Sequence, residues 1–170
     1  GFGEMGFNAV VTVPGCGGDY LKALRARSFE VISFRYGWWT RDVPVDEQVV
    51  AEFARLIALH EVDAVHVNTI MLREPLIASR RLGARTVLHA RELITHDVAL
   101  IDRIGDAPAA IVDAIVGGTD WLIANSAATG ACFAKPDRTI VVPNTADEAL
   151  FDVAPPSLSA ERATVVFDVP

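Results

Sequence analysis

The chain has 170 residues, 51% of them apolar and 22% charged; a domain of that size buries roughly 70% of its unfolded surface, which excludes disorder on a large scale. A formal charge of −7 excludes a general nucleic-acid binder, because phosphate affinity needs concentrated Lys and Arg. Two cysteines, Cys16 and Cys132, stand far apart without C-x-x-C or Cys/His spacing, so neither a disulfide framework nor a zinc site is expected, and both are read as reduced, buried thiols.

In chain order, Gly1-Phe2-Gly3-Glu4-Met5-Gly6 spells G-x-G-x-x-G. A dinucleotide fingerprint needs a strand before the glycines and a helix after them; here a strand, Phe7 to Val13, follows at once, so the glycines read as a helix tail and a turn. Pro14 to Gly18 forms a loop, with Asp19 placed to cap a helix from Tyr20 to Arg27. Glu30 to Phe34 is the next strand. It runs into Arg35-Tyr36-Gly37-Trp38-Trp39, whose three large rings are costly to leave in water and either roof a pocket or pack on the neighbouring loop. Asp46 caps a helix to about His60, with Val49, Val50, Phe53, Leu56 and Ile57 on one face. His60 serves as a partner for that helix's dipole.

Four later runs share one grammar. Ala64-Val65-His66-Val67 ends in Asn68-Thr69, Thr86-Val87-Leu88 in His89-Ala90-Arg91-Glu92, Trp121-Leu122-Ile123-Ala124 in Asn125-Ser126, and Thr139-Ile140-Val141-Val142 in Pro143-Asn144. Apolar β-branched runs that break into polar residues are how buried parallel strands look where their C-terminal ends open into a cleft. Side by side, all four tips fall on one rim. His66, mid-strand, is expected to be a satisfied core histidine. Between the runs come a helix from about Leu72 to Leu82 stopped by Gly83, a helical stretch to about Ile104, a helix from Ala109 to Val116 stopped by Gly117-Gly118, and one capped by Ser126 or Asn125 that reaches Phe133. Arg73, Arg80, Arg81 and Arg85 cluster around the first of these and suit anionic lipid headgroups or a solvated face. Sustained strand–helix alternation predicts an α/β fold: a three-layer Rossmann-like domain with a mostly parallel sheet.

Chemically, His89 offers a general base or hydrogen-bond donor, Arg91 a fixed cation for phosphate or carboxylate, and Glu92 a carboxylate for hydroxyls. His89 and Arg91 share a side of the strand and Glu92 faces the other, so all three meet one ligand only if the chain turns after Ala90. The bland alternative is a polar loop held by an Arg91–Glu92 contact. Asn68, Asn125 and Asn144, with Ser126 beside the second, suit sugar hydroxyls or backbone capping. No G-x-S-x-G elbow, Walker loop or metal-ligand spacing is present. No apolar run approaches the ~18 residues of a membrane span, so the chain is expected to be cytoplasmic, with peripheral contact at the cytosolic membrane face.

Val65-His66-Val67-Asn68-Thr69, Val87 to Glu92, Leu122-Ile123-Ala124-Asn125-Ser126 and Val141-Val142-Pro143-Asn144-Thr145-Ala146-Asp147-Glu148-Ala149-Leu150-Phe151 fall in the order and spacing of the N-terminal domain of group 1, or family 4, glycosyltransferases of the GT-B fold. The last element resembles that family's V-x-P/Y-N-G-V-D-x-x-x-F signature, with Thr145 where the family has glycine. The resemblance spans about Phe7 to Phe151. It implies one half of a GT-B architecture and a retaining hexosyltransferase. Such an enzyme moves a sugar from a nucleotide-sugar donor to a saccharide or lipid-linked acceptor in an interdomain cleft, with no cofactor and no required metal. His89 matches a catalytic histidine near the transferring sugar, and Arg91-Glu92 would border the cleft together with the substrate-binding Asn68, Asn125, Ser126 and Asn144.

On this resemblance residues 1–152 form the acceptor-side domain without its first strand, which is central in the family's sheet. Residues 153–170 are a linker and the start of a missing C-terminal donor-binding domain, the natural partner of this one. The fragment alone is expected to be inactive. Two other readings are a non-catalytic Rossmann-like binding module and, disfavoured by the failed glycine fingerprint, a nucleotide-dependent oxidoreductase or epimerase.

Overall fold

Apolar runs become strands and the amphipathic stretches between them become helices in the structure, a computed structural model that describes residues 6–15, 18–27 and 30–145. The elements are β1 (Val10–Pro14), α1 (Asp19–Ala26), β2 (Glu30–Phe34), α2 (Glu47–Leu59), β3 (Ala64–Val67), α3 (Glu74–Leu82), β4 (Arg85–Ala90), α4 (Val98–Ile104), α5 (Pro108–Gly118), β5 (Trp121–Ala124), α6 (Ala127–Ala131) and β6 (Thr139–Val141). The expectations for Gly1 to Met5, Cys16, the end of the signature and the linker lie outside the described residues.

Every strand pair is parallel. β1 pairs with β2, and β3, β4, β5 and β6 pair in sequence order as a second sheet. Among the described residues no ladder joins the two sheets, so β1, β2, β3 and β6 each keep one edge without a ladder partner.

Local sequence explains most boundaries. Asp46 caps α2 by accepting hydrogen bonds from Gln48 N and Val49 N at 2.9 and 3.2 Å, and the five apolar residues of its inner face are all buried. Gly83 ends α3 at φ 72°, in the left-handed region that glycine adopts without strain. Asp97 caps α4 through Leu100 N. Four boundaries differ from expectation. Asp19 lies inside α1, and Gly18 at the cap position brings no side-chain bond. α5 runs through Gly117-Gly118, because Gly118 packs beside Leu76 and the Thr119 hydroxyl donates to Ile115 O at 2.7 Å. β1 begins at Val10 rather than Phe7, and α6 stops at Ala131, which frees Phe133 to enter the core.

The core forms around one face of β3–β5. Val67, Leu88, Ala90 and Leu122 meet Leu76 of α3, Leu100 and Ile104 of α4, and Ile111 and Ile115 of α5. Each such side chain removed from water contributes about 1.5–3 kcal/mol. A second cluster joins Val49, Val50, Phe53 and Ile57 of α2 to Ala78 of α3 and to Phe34 and Tyr36 at the end of β2. At the amino ends of β4 and β5, Asp120 accepts from Thr86 N and Thr86 Oγ1 at 2.8 and 3.0 Å, and its own N–H donates to Thr86 Oγ1 at 2.9 Å. This knot locks the two strands at the end opposite the polar tips.

Two side-chain expectations are corrected here. His66 is partly open to solvent rather than a core residue, since alternation along β3 turns it to the face that the core does not use, where His89 stacks over its ring and desolvates it in part. Cys132 is half-buried, its thiol close to Thr95 Oγ1 and Ala128 O. Of the arginines expected at a lipid surface, Arg73 donates to Val43 O and Arg81 pairs with Glu47 at 2.6 Å, while Arg80 and Arg85 remain exposed.

Candidate functional site

Because β3 and β4 are parallel with Val67 opposite Leu88, the residues just past each strand meet at one rim. β4 ends at Ala90 and the chain turns, which brings Arg91 and Glu92 beside Asn68 and Thr69. The Glu92 carboxylate accepts from Thr69 Oγ1 and from Arg91 N, both at 2.9 Å. The Arg91 guanidinium donates to Asn68 O at 3.1 Å. The expected Arg91–Glu92 contact therefore exists through the backbone N–H, and the cationic head braces the neighbouring loop instead.

These four residues line an open recess of about 370 Å³. Its apolar wall comes from Met71 and Leu100, and a lip from Trp38 and Arg103, the guanidinium lying 5.6 Å from the Trp38 ring centroid. The aromatic cluster read from the sequence divides its work. Tyr36 packs on Phe34 and Phe53, and Trp39 is buried under the Arg73 guanidinium. Trp38, at 57% exposure, faces the rim. Arg103 carried no sequence signal, since it sits in the last turn of a short helix and reaches the recess only through tertiary packing.

The remaining candidates are distributed around this recess. Alternation along β4 sends Leu88 and Ala90 into the core and His89 to the opposite face, where its ring stacks on His66 at 6.0 Å between centroids. His89 does not line the recess. Its Nε2 is buried and has no hydrogen-bond partner among the described residues. Burial, and then the Arg91 cation, push its imidazole below the ordinary value, with Glu92 opposing; His66 is lowered by burial and by His89. Both rings are thus neutral at physiological pH. Asn125 donates to Arg91 O at 3.4 Å, while its carbonyl oxygen accepts from Thr129 Oγ1. Ser126 caps α6 by accepting from Thr129 N. Asn144 is exposed and takes part in no such bond among the described residues.

Parallel strands alternating with helices, with hydrogen-bonding groups gathered at the carboxyl ends, make a mixed α/β, Rossmann-like half of the GT-B fold. The solved structure of MurG from Acinetobacter baumannii, a GT-B glycosyltransferase, is similar with a TM-score of 0.55 at 12% identity; the match covers 87% of this chain and 40% of that one. The chain thus spans less than half of that protein's length. No protein-family model and no curated protein sequence matches it. No helix among the described residues is long and apolar enough to cross a membrane.

Proposed function

We propose that this chain is the acceptor-side domain of a retaining glycosyltransferase that takes its sugar from a nucleotide-sugar donor held on a companion domain. The observation that carries the reading is the recess at the carboxyl ends of β3 and β4, where open α/β sheets hold ligands. There Glu92 is fixed by Thr69 and by the Arg91 N–H, and lone pairs left on its carboxylate accept an acceptor hydroxyl. Arg91, braced on Asn68 O, offers its remaining donors to phosphate or hydroxyl oxygens. Asn125 and Ser126 position these groups rather than meet substrate, since both are bonded within their own loop and helix cap. His89 is proposed to meet the transferring sugar. A buried ring nitrogen without a partner costs about 1–3 kcal/mol, and a ligand hydroxyl at the completed cleft is the partner we assign to its Nε2.

The test uses the complete protein and a panel of uridine- and guanosine-diphosphate sugars, scoring nucleoside diphosphate release and the anomeric configuration of the product by NMR. His89→Ala is expected to lower turnover about a hundredfold or more with the unfolding midpoint nearly unchanged, in the range for loss of a catalytic hydrogen-bonding group. Unchanged turnover removes His89 from the mechanism. An absence of donor turnover in the wild type rejects the transferase reading.

A further inference from the structure

A second and larger recess, about 590 Å³, adjoins the rim recess across a shared wall, Trp38. It lies against the loop between β2 and α2 and the first turns of α2. That loop is pinned on both sides of the indole: before it the Tyr36 hydroxyl donates to Thr12 O at 3.1 Å, and after it Trp39 N donates to Met71 O and Arg41 N to Arg103 O, each at 2.7 Å, with the Trp39 ring buried. Trp38 is held out by its neighbours, which pre-orders an aromatic surface that would otherwise lose freedom on binding. Arg103, which lines the smaller recess, lies 5.6 Å from the ring centroid, and the half-exposed ring lines both recesses.

The rest of the lining selects a ligand class. Arg35 and Gln48 line the recess, and their side chains have no hydrogen-bond partner among the described residues; beside them are Asp46, whose Oδ1 caps α2, and Glu52, whose carboxylate is held by Arg55. Two arginines against three carboxylates leave the recess close to neutral, which favours neither a polyphosphate nor a polycation. An exposed flat ring flanked by donors and acceptors of both kinds matches a neutral molecule with one apolar face and many hydroxyls.

We propose that this recess is a second saccharide subsite, with a pyranose stacked on Trp38 and its hydroxyls bonded by Gln48 and Arg35. The acceptor would then carry at least two sugar units, the distal one here and the reacting one at the Glu92 rim. Only the word acceptor rests on the transferase reading; the saccharide subsite requires no turnover.

The experiment labels the complete protein with 5-fluorotryptophan, assigns the Trp38 resonance with Trp38→Phe, and titrates glucose against cellobiose, mannose against mannobiose, and N-acetylglucosamine against diacetylchitobiose. At least one disaccharide is expected to move the Trp38 signal with about tenfold tighter binding than its monosaccharide, a gap of roughly 1.4 kcal/mol. With affinities measured by titration calorimetry, which needs no Trp38 reporter, Trp38→Ala and, independently, Gln48→Ala are expected to abolish that gap; both residues are exposed. No Trp38 response to any disaccharide, or a gap that survives both substitutions, overturns the proposal. Nucleotide-sugar turnover without a Trp38 response refutes this subsite and spares the transferase reading, whereas a Trp38 response without turnover does the reverse.

Discussion

Glu92→Ala is the substitution with the most to say about the rim. The carboxylate ties the loop after β3 to the loop after β4 through Thr69 Oγ1 and the Arg91 N–H, at 2.9 Å each. Hydrogen bonds to an ionised acceptor contribute about 1.5–3 kcal/mol each when buried. Glu92 is only half-buried, and solvent competition there reduces the pair to about 1–3 kcal/mol in total. With a urea slope of about 1–3 kcal/mol per molar, the unfolding midpoint of the complete protein should fall by about 1 M. Tryptophan fluorescence would follow the transition. Glu92→Gln keeps one acceptor but turns its NH2 toward the second donor, so about half the loss is expected. A double-mutant cycle with Thr69→Val isolates the pair, and a coupling of about 0.5–1.5 kcal/mol is expected for groups in direct contact. A midpoint that moves by less than about 0.2 M, together with strict additivity in the cycle, would refute the brace.

Two further outcomes concern protons. Asp120 is held below the usual carboxylate range first by the Thr86 N–H, then by the Thr86 hydroxyl, with Arg138 and Lys135 nearby. The folded state therefore binds fewer protons than the unfolded one. Its contribution is present above about pH 4 and is lost as pH falls through the depressed folded value; Asp120→Asn should flatten that part of the urea-midpoint profile, and an unchanged slope would count against the knot. For His66 and His89 the folded values also lie below the ordinary imidazole value, mainly through burial. Stability is then fully present above about pH 6.5 and falls as pH drops toward the folded values. Their ring C–H resonances should titrate below about 6.5, and titration at or above that value would show that the stacked pair is not desolvated.

Much of the fold was legible because it is written in short-range patterns. The inner face of α2 follows from a 3.6-residue spacing, β2 from a short apolar run, and the strand end at Val67 from an abrupt change in polarity. The meeting of Asn68, Arg91 and Glu92 follows from parallel pairing together with the turn after Ala90. What the sequence withheld depends on neighbours. Nothing local says that Gly118 continues a helix because Leu76 leaves room only for a small residue, or that His66 faces away from the core. The Arg35-to-Trp39 stretch left open whether its rings roof a pocket or pack on the neighbouring loop; Trp38 lines a recess while Trp39 is buried. Arg103 entered the rim only because α4 packs beneath Trp38.

The divided sheet has a consequence for handling the protein. The outer edges of β1 and β3 present rows of amide and carbonyl groups without ladder partners among the described residues, and such rows invite any extended chain that drifts past. β3 is only four residues long and carries Asp63 beside it, which limits that reach. β1 is apolar over most of its length, with no charge of its own. In a polypeptide limited to these residues the flank of β1 is an apolar edge open to a second copy, and a lysine placed at Thr12 is expected to reduce self-association.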